Sequence, residues 1–322
     1  MVNSELSFVS RSQAEADWNV LQRRFLRPAR GGAILVREGF GRAAAVWPTS
    51  QVVSAAISRA AAHAESAAAN EALEDLVRLD GGLSRYQQDN HYAESRHGGI
   101  GSRPVYYDDN AWIALNFLTT ALLQLRGVLA GDAGANVSRA RGVFRLLLSG
   151  QDPNGGGVLW RIGGDTRNAC STAPAGLVAL RIIEAERLLA LPTSDHQELV
   201  AFAQNCAAFL ATLRDSRGLI ADHMRANGQI EPSIYSYNQG TSFGLNLQLH
   251  RIAGIESCLN QAAEIAQASV DYYSNEDRLW GESPAFVAIY LRHLATLRAQ
   301  TGSDVGAGLG ATWLTRLSTE AL

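Results

Sequence analysis

The sequence contains no lysine, since all 28 basic residues among its 322 positions are arginine. Enzymes that form a lysine Schiff base, P-loop enzymes and protein kinases each need a lysine at the reacting or phosphate-binding position. The absence of this residue type therefore excludes pyridoxal-dependent catalysis and the standard machinery for nucleotide phosphates.

Cysteine is scarce as well. Cys170, Cys206 and Cys258 are odd in number, far apart and outside Cys-x-x-Cys spacing, which argues against a disulfide framework and against a cysteine zinc site. The thiols are predicted to be buried and inert. The seven histidines include no His-x-x-x-His pair, and we expect neither a metal ion nor a cofactor.

Long apolar runs and a strong excess of charge are also missing. No stretch of 18 apolar residues occurs, so no membrane-spanning helix is predicted. The net charge of -3 and the isoelectric point near 6.2 argue against nucleic acid as a partner. The first residues contain no apolar segment typical of a signal peptide, and we expect a cytoplasmic location.

Helical periodicity dominates what is present. A hydrophobic fraction of 47% against 18% charged residues can form a sizeable core. Helices are predicted over residues 13–25, 49–79 (two helices joined near 66–70, with Gly81 and Gly82 as the stop), 108–125, 136–148, 168–191, 195–213, 239–252, 256–273 and 284–299, and around Trp313. Strand-like runs are short, at 33–37, 158–162 and 234–237. The pattern predicts one all-α domain over residues 1–322, with helix pairs stacked or arranged in a ring.

The predicted helix 108–125 carries apolar residues on nearly every face. A helix of this kind is buried on all sides, as in the inner layer of a two-layer helical ring. Its first turn nevertheless contains Asp108, Asp109 and Asn110. The polar end of an otherwise buried helix is where a site for chemistry is expected.

Three predicted helix starts combine aromatic side chains with acids or amides. They are Tyr106-Tyr107-Asp108-Asp109-Asn110, then Trp160-Arg161 followed by Asp165-Thr166-Arg167-Asn168, and Tyr235-Ser236-Tyr237-Asn238-Gln239-Gly240. Sugars need flat faces for stacking and bidentate polar groups for hydroxyls, so the clusters predict a carbohydrate site where the three helix ends meet. Helix capping alone is the competing interpretation of any single cluster. The candidate substrate-binding residues are Tyr107, Asn110, Trp160, Asp165, Arg167, Asn168, Tyr237, Asn238 and Gln239.

Asp108 and Asp109 are the candidate catalytic residues. Hydrolysis of a glycosidic bond needs one carboxylic acid to protonate the leaving oxygen and a second carboxylate as nucleophile or base. The helix N-terminus favours the charged form of both groups, whereas their mutual repulsion raises one pKa. We therefore expect them to titrate as a coupled pair.

The string YYDDNAWIAL at 106–115 resembles the active-site motif of glycoside hydrolase family 76, the endo-α-1,6-mannanases. The resemblance extends to WPTSQ at 47–51, GGVLWRIGGDTRNACSTAPAGLVALRI at 156–182 and YSYNQGTSFGLNLQLHRIAG at 235–254. It implies an (α/α)6 barrel, a retaining mechanism without a metal, and α-mannan or α-manno-oligosaccharides as substrate. By motif position it implies Asp108 as nucleophile and Asp109 as general acid/base. Family members are typically secreted, so the cytoplasmic expectation departs from the family.

Three alternatives remain open at this level. Gly240-Thr241-Ser242-Phe243-Gly244 matches the G-x-S-x-G string of serine esterases, with Asp277 and His293 in the required order. A sugar epimerase or isomerase on the same fold would use a histidine pair drawn from His91, His97, His223 and His250. A carbohydrate-binding protein without activity would use Trp47, Trp160 and Trp280 as stacking platforms.

Overall fold

Helices form most of the molecule. The computed structural model describes residues 11–39, 41–96, 103–153, 155–275 and 277–320. Its α-helices are α1 Arg11–Phe25, α2 Val46–His63, α3 Ala69–Leu83, α4 Tyr107–Leu125, α5 Ala133–Ser149, α6 Ala169–Leu188, α7 His196–Thr212, α8 Ser236–Ala253, α9 Glu256–Tyr273, α10 Pro284–Thr301 and α11 Ala307–Glu320. Every predicted helix is present, although several start or end one to four residues away from the predicted boundary.

The fold is a two-layer helical ring of the (α/α)6 type, and the even-numbered helices α2 to α10 supply five of its inner helices within the described residues. α4 packs between α2 and α6, and α8 packs between α6 and α10. The ring closes between α10 and α2, where the guanidinium of Arg292 donates to Ser54 Oγ at 2.9 Å and the rings of Trp47 and Phe286 meet edge to face. α3, α5, α7 and α9 each pack on the outside of the preceding inner helix. The predicted ring of helix pairs is confirmed.

The inner helices are buried around most of their circumference because apolar or small residues occupy all their faces. In α4, the residues from Ala111 to Leu118 are all buried, and in α6 those from Ala169 to Leu180 are buried without a break. The outer helix α7 instead alternates buried and exposed positions. The prediction that the helix starting near Asp108 lies in the inner layer is confirmed.

Strands are few and short. The first sheet joins β1 Leu26–Pro28, β2 Ile34–Glu38 and β3 Arg42–Ala43, the second joins β4 Gln87–Gln88 and β5 His91–Tyr92, and the third joins β6 Arg167–Asn168, β7 His223–Met224 and β8 Ile230–Glu231. All their pairings are antiparallel. The run 33–37 is confirmed as β2, whereas 158–162 makes only isolated bridges and 234–237 leads into α8. None of the described residues forms the central sheet that a serine esterase needs.

The prediction that Gly81 and Gly82 end a helix is wrong, because α3 continues through both to Leu83. Gly82 is needed there for a different reason. A Cβ at this position would lie 1.8 Å from the carbonyl oxygen of Ile34. Glycine therefore allows strand β2 to run directly against the helix.

One simpler prediction is confirmed within the described residues. Cys170, Cys206 and Cys258 are all buried free thiols. None of the helices in those ranges is both long and apolar enough to cross a bilayer.

Candidate active site

The N-terminal ends of α4 and α6 meet at one end of the ring. An antiparallel bridge pairs Tyr106, the residue before α4, with Arg161 in the loop that leads to α6. Across the gap between the two helices, Cys170 Sγ lies 3.5 Å from Asp108 Oδ2. The first turn of α6 is thus in contact with the candidate catalytic pair.

Asp222 connects the start of α8 to the same place. Its backbone carbonyl accepts from the N–H of Ala169 at 2.8 Å, and its Oδ1 accepts from Asn238 Nδ2 at 3.2 Å. Because Ala169 begins α6 and Asn238 lies in the first turn of α8, all three helix ends converge. The predicted meeting of the three polar clusters is confirmed.

Asp108 is partly buried and well supplied with donors. Its Oδ2 accepts from Trp160 Nε1 at 3.2 Å and from Cys170 Sγ at 3.5 Å, whereas its Oδ1 has no partner among the described residues. Burial raises the pKa of Asp108 to about 6, and the backbone N–H groups at the start of α4 limit the rise together with these two donors. At neutral pH the carboxyl group is therefore mostly ionised.

The surroundings of Asp109 disfavour a negative charge more strongly than those of Asp108. It is only 7% exposed. Burial raises its pKa well above the ordinary range, and the charges of Asp108 and Glu94 raise it further. These surroundings favour the protonated form of the group.

The surroundings of the two neighbouring carboxyl groups thus favour different charge states. Asp108 accepts hydrogen bonds that stabilise a negative charge, whereas Asp109 is buried next to that charge. A carboxylate beside a protonated carboxylic acid is the arrangement that hydrolysis of a glycosidic bond requires. The sequence-based expectation that Asp109 is the less exposed and more strongly repelled group agrees with this geometry.

An aromatic surface borders the pair. The Trp160 side chain is 40% exposed, and its ring packs on Tyr106 with centroids 5.0 Å apart. Since its Nε1 is bonded to Asp108, the indole is fixed with part of its surface open to solvent. Tyr237, further round the site, is stacked on Phe286 at 4.1 Å. An exposed indole face beside a carboxylate is suited to stacking on a sugar ring.

Two predicted substrate-binding amides have a structural role instead. Asn110 is fully buried, accepts from the N–H of Tyr92 at 2.8 Å, and donates to the carbonyls of Tyr92 and Tyr106 at 2.9 and 2.8 Å. Gln239 repeats this pattern, because it accepts from the N–H of Ile220 and donates to its carbonyl, both at 2.8 Å. With these bonds made, neither amide has a free group for a sugar hydroxyl. The predicted role of both residues is wrong.

In a third inner helix, a side chain of the first turn also hydrogen-bonds to the backbone of the loop in front of the helix. Thr172 Oγ1 accepts from the N–H of Val158 at 2.8 Å. Thr172, Asn110 and Gln239 are each the fourth residue of their helix. In each of these three helices, the side chain of the fourth residue therefore holds the loop in front of the helix.

The remaining predicted residues divide into two groups. Tyr107 is buried in the core against Gly150, where a Cβ would lie 2.5 Å from its ring. Arg167 forms an ion pair with Asp152 at 3.1 Å and lies over the ring of Phe209. The predicted direct role of Tyr107 in substrate binding is contradicted, because its side chain is enclosed in the core. Arg167 stabilises a loop in this structure, and its role in substrate binding stays a prediction.

Three predicted residues keep capacity for a ligand. Asn168 and Asn238 are buried beside the helix starts, and the Oδ1 of each lacks a partner among the described residues. Asp165 is exposed on the loop before α6. These acceptors and the Trp160 ring are the parts of the predicted sugar site that remain available.

Sequence reasoning missed Cys170, Glu94 and Asp222. Cys170 was assigned no role, yet its thiol hydrogen bonds to Asp108, and burial raises its thiol pKa well above the usual value, so it stays a donor. Its position two residues after Asn168 was an available signal. Glu94 and Asp222 lie in loops whose approach to the site depends on the fold, and no local pattern marks them.

The alternatives based on other residues fail on geometry. Ser242 is fully buried inside α8, and its Oγ has no hydrogen-bond partner among the described residues, so none of them is placed to activate it as a base. His223 is hydrogen-bonded to Asp222 at 2.7 Å. His250 lies in the last turn of α8, at the end of the helix opposite to the Asp108–Asp109 pair. His91 forms part of β5, and His97 lies outside the described residues. None of the hydrogen bonds found among the described residues joins two of these histidines.

One group of side chains has the composition of a metal site. Glu186, Asp195 and His196 bring their ligand atoms within 4.8 Å of one another. Arg141 already bonds to both carboxylates of this group, with bonds of 2.7 and 2.5 Å. The guanidinium neutralises the charges that a cation would need, so the cluster is an ion-pair network.

Comparison with known proteins gives a family match. The model of glycosyl hydrolase family 76 matches residues 34–301. The Schizosaccharomyces pombe "Meiotically up-regulated gene 191 protein" is 31% identical over 155 residues, which are 44% of this chain and 33% of that protein. The match therefore spans about a third of the length of this curated relative.

Solved structures share the fold. A family 76 glycoside hydrolase from a bovine Bacteroides thetaiotaomicron strain superimposes with a TM-score of 0.77 at 20% identity, over 95% of this chain and 68% of that one. An α-1,6-mannanase of Salegentibacter sp. HEL1_6 gives 0.69 at 19% identity, over 94% and 84%. That protein is an inactive variant with two neighbouring aspartates replaced by asparagine, in complex with α-1,6-mannotriose. A D-mannose isomerase gives 0.66 at 12% identity, over 97% and 87%.

Proposed function

We propose that this chain, which belongs to glycosyl hydrolase family 76, hydrolyses α-mannosidic bonds, of the α-1,6 type, with retention of anomeric configuration. The observation that carries the proposal is the pair of adjacent carboxyl groups at the start of α4, of which Asp108 accepts two hydrogen bonds while Asp109 is buried beside it, so that their surroundings favour opposite protonation states. Asp108 is the nucleophile and Asp109 the general acid/base. No metal or cofactor enters the reaction.

The first half of the reaction follows from these protonation states. Asp108 attacks the anomeric carbon, and a glycosyl ester forms as the glycosidic bond breaks. Asp109 gives its proton to the departing glycosidic oxygen in the same step. Loss of that proton is favoured as the step proceeds, because the negative charge on Asp108 that raised the pKa of Asp109 is consumed in the ester bond.

The second half reverses the roles. Asp109, now ionised, takes a proton from water, and the water oxygen attacks the anomeric carbon to release the sugar. Asp108 leaves as a carboxylate, which the hydrogen bonds from Trp160 and Cys170 stabilise. The pair then returns to its starting protonation state.

The choice of α-mannosides rests on the relatives and on the shape of the site. The solved family 76 proteins include an α-1,6-mannanase bound to α-1,6-mannotriose, and its inactive variant lacks two neighbouring aspartates. In this chain, the exposed face of Trp160 lies beside Asp108, and the free acceptors of Asn168 and Asn238 lie nearby. We infer that α-mannan or α-manno-oligosaccharides stack on the indole while these amides bind hydroxyl groups.

A panel of α-mannosides of defined linkage tests the proposal, with products separated and weighed by mass spectrometry. We expect cleavage of α-1,6-linked oligosaccharides and little cleavage of α-1,2- or α-1,3-linked ones. Asp109→Asn should lower the rate on the order of 10²–10⁴-fold, as expected for loss of a general acid. Ser242→Ala is the matched control and should leave the rate unchanged.

The outcomes separate the proposal from its competitors. Preferred cleavage of another linkage would contradict the α-1,6 assignment and leave the dyad intact. Full activity of Asp109→Asn would contradict the dyad. Interconversion of mannose and fructose without hydrolysis would favour an isomerase on the same fold.

A further inference from the structure

A group of aromatic side chains lies at the same end of the ring as Asp108 and Asp109. Its rings come from the first turns of α2, α8 and α10 and from the residue before α8, and we call it the aromatic strip: Trp47, Tyr235, Tyr237 and Phe286. In the reaction proposed above, the two aspartates carry out the bond cleavage and none of these rings has a part in it.

Direct contacts join the four rings of the aromatic strip. The rings of Tyr237 and Phe286 are stacked with their centroids 4.1 Å apart, and the ring of Trp47 meets Phe286 edge to face at 5.8 Å. The ring of Tyr235 also meets Phe286 edge to face, at 6.0 Å. Phe286 is therefore the centre of the strip, and through it α10 connects the starts of α8 and α2.

Hydrogen bonds fix both ends of the strip beside the two aspartates. The N–H of Val46, the residue before Trp47, donates at 2.9 Å to the carbonyl of Glu94 in the loop in front of α4. At the other end, Tyr237 is followed by Asn238, whose amide is bonded within the cluster of helix starts described above. The strip thus borders the candidate active site on the α2 side and on the α8 side.

Trp160 lies on the opposite side of the aspartates. Its carbonyl accepts from the N–H of Tyr107 at 2.9 Å, and its indole is bonded to Asp108. Because α4 packs between α2 and α6, Trp47 at the start of α2 and Trp160 in the loop before α6 flank the start of α4 on two sides. A chain of sugars that crosses this end of the ring can therefore contact both indoles.

The rings of the strip remain partly open to solvent. All four are half-buried, whereas Phe243 and Tyr290, deeper in α8 and α10, are fully buried. Among the described residues, no hydrogen bond uses the indole N–H of Trp47 or the hydroxyl of Tyr235, and neither atom is a buried polar atom without a partner. Both groups are therefore accessible, and an apolar ring with an unused polar group is typical of aromatic residues at binding surfaces.

We propose that Trp47 and Tyr235 form a second sugar subsite, which binds a mannosyl unit away from the bond that is cleaved. The proposal rests on the proposed function, because its ligand is a further unit of the same α-mannoside chain. The apolar face of the sugar contacts the rings, while the indole N–H and the phenol bind its hydroxyl groups. Phe286 already holds both rings in place, so little conformational freedom is lost on binding.

Titration calorimetry with α-1,6-mannobiose and α-1,6-mannotetraose tests the subsite. The full chain carries Asp109→Asn, which prevents hydrolysis during the measurement. We expect the tetraose to bind more tightly than the biose, because only the longer ligand reaches both the aspartates and the strip. Adding Trp47→Ala should weaken binding of the tetraose by about threefold to tenfold, as expected for the loss of one aromatic contact, and should leave binding of the biose unchanged.

Three further variants separate the subsite from general effects of substitution. Leu188→Ala is the matched control, because it removes an exposed apolar side chain at the C-terminal end of α6, and it should change neither affinity. Trp47→Phe keeps an aromatic face and should lose less affinity for the tetraose than Trp47→Ala does. If thermal unfolding shows that Trp47→Ala is not folded, Tyr235→Ala provides the same comparison between the two ligands.

The outcomes distinguish the subsite from the proposed function. Equal affinity for the two ligands, binding of neither, or a tetraose affinity unchanged in both Trp47→Ala and Tyr235→Ala would overturn the subsite. An equal loss of affinity for both ligands would also overturn it. Tighter binding of the tetraose that Trp47→Ala removes, in a chain whose unaltered form hydrolyses no α-mannoside, would support the subsite and contradict the proposed function.

Discussion

Replacing Gln239 with methionine removes a buried amide and keeps the length of the side chain. In the native protein this amide bonds to the N–H and the carbonyl of Ile220 at 2.8 Å and to the carbonyl of Tyr235 at 3.3 Å. The thioether cannot replace these bonds. The N–H and the carbonyl of Ile220 would then be left buried without a partner.

The expected loss of stability follows from those two groups. A buried backbone group without a partner costs about 1–3 kcal/mol, so the free energy of unfolding should fall by about 2–6 kcal/mol. That is a large part of the 5–15 kcal/mol typical of a folded domain, by order of magnitude. Gln267→Met is the matched control, because Gln267 is an exposed helical residue whose amide bonds only to Asp271, four residues away. Its expected loss is below about 0.5 kcal/mol.

Urea unfolding followed by circular dichroism measures both variants, and kinetics on an α-mannoside provide a second readout. We expect a clearly lower midpoint for Gln239→Met only, with KM of the folded fraction close to that of the unaltered chain. An unchanged midpoint combined with a KM raised tenfold or more would refute the reasoning. Gln239 would then be a sugar ligand, as the sequence suggested.

Two other substitutions test the site and the fold. Trp160→Phe removes the indole donor that lowers the pKa of Asp108, so that pKa should rise and the acidic limb of kcat/KM against pH should move to higher pH. Below the limb kcat/KM should fall by about threefold to tenfold, which is less than the roughly tenfold or more of a buried charge-assisted bond because Trp160 is part-exposed. A limb that stays in place would show that the indole leaves this carboxyl group unaffected. Gly82→Ala should lower the stability of the protein by about 3 kcal/mol, because the new Cβ would clash with β2. Gly81→Ala, whose nearest contact would be 3.5 Å, should be neutral or stabilise the protein by about 0.5–1 kcal/mol, as measured by thermal unfolding. Equal effects of the two substitutions would contradict the close packing of helix and strand.

The inner helices could be predicted from sequence because their signal is local. A run such as Trp112 to Leu118 without a polar face is typical of a helix buried on all sides, and the fold places α4 accordingly. The dyad was also accessible, because two adjacent acids at a helix start are visible in the sequence itself. What the sequence could not supply was the difference in their surroundings, since Glu94 and Trp160 reach the pair only through the fold.

The two amides were misassigned because the residue type alone does not distinguish an amide that holds a loop in place from one that binds a sugar. Asn110 and Gln239 occur in polar, aromatic strings like those that bind sugars, yet each is the fourth residue of its helix and faces the backbone of the preceding loop. That shared position was present in the sequence. Its meaning depends on loops far away along the chain, 18 residues from Asn110 and 19 from Gln239.

The central claim is that Asp108 forms a covalent bond to the sugar while Asp109 handles the proton. Proton NMR of the first-formed product from an α-1,6-linked mannoside tests it most directly, because the anomeric signal records the number of displacements at that carbon. Two displacements, as proposed, give the α-anomer first, and the β-anomer follows only by slow mutarotation. A β-anomer as the initial product would show a single displacement by water and would remove Asp108 from the role of nucleophile.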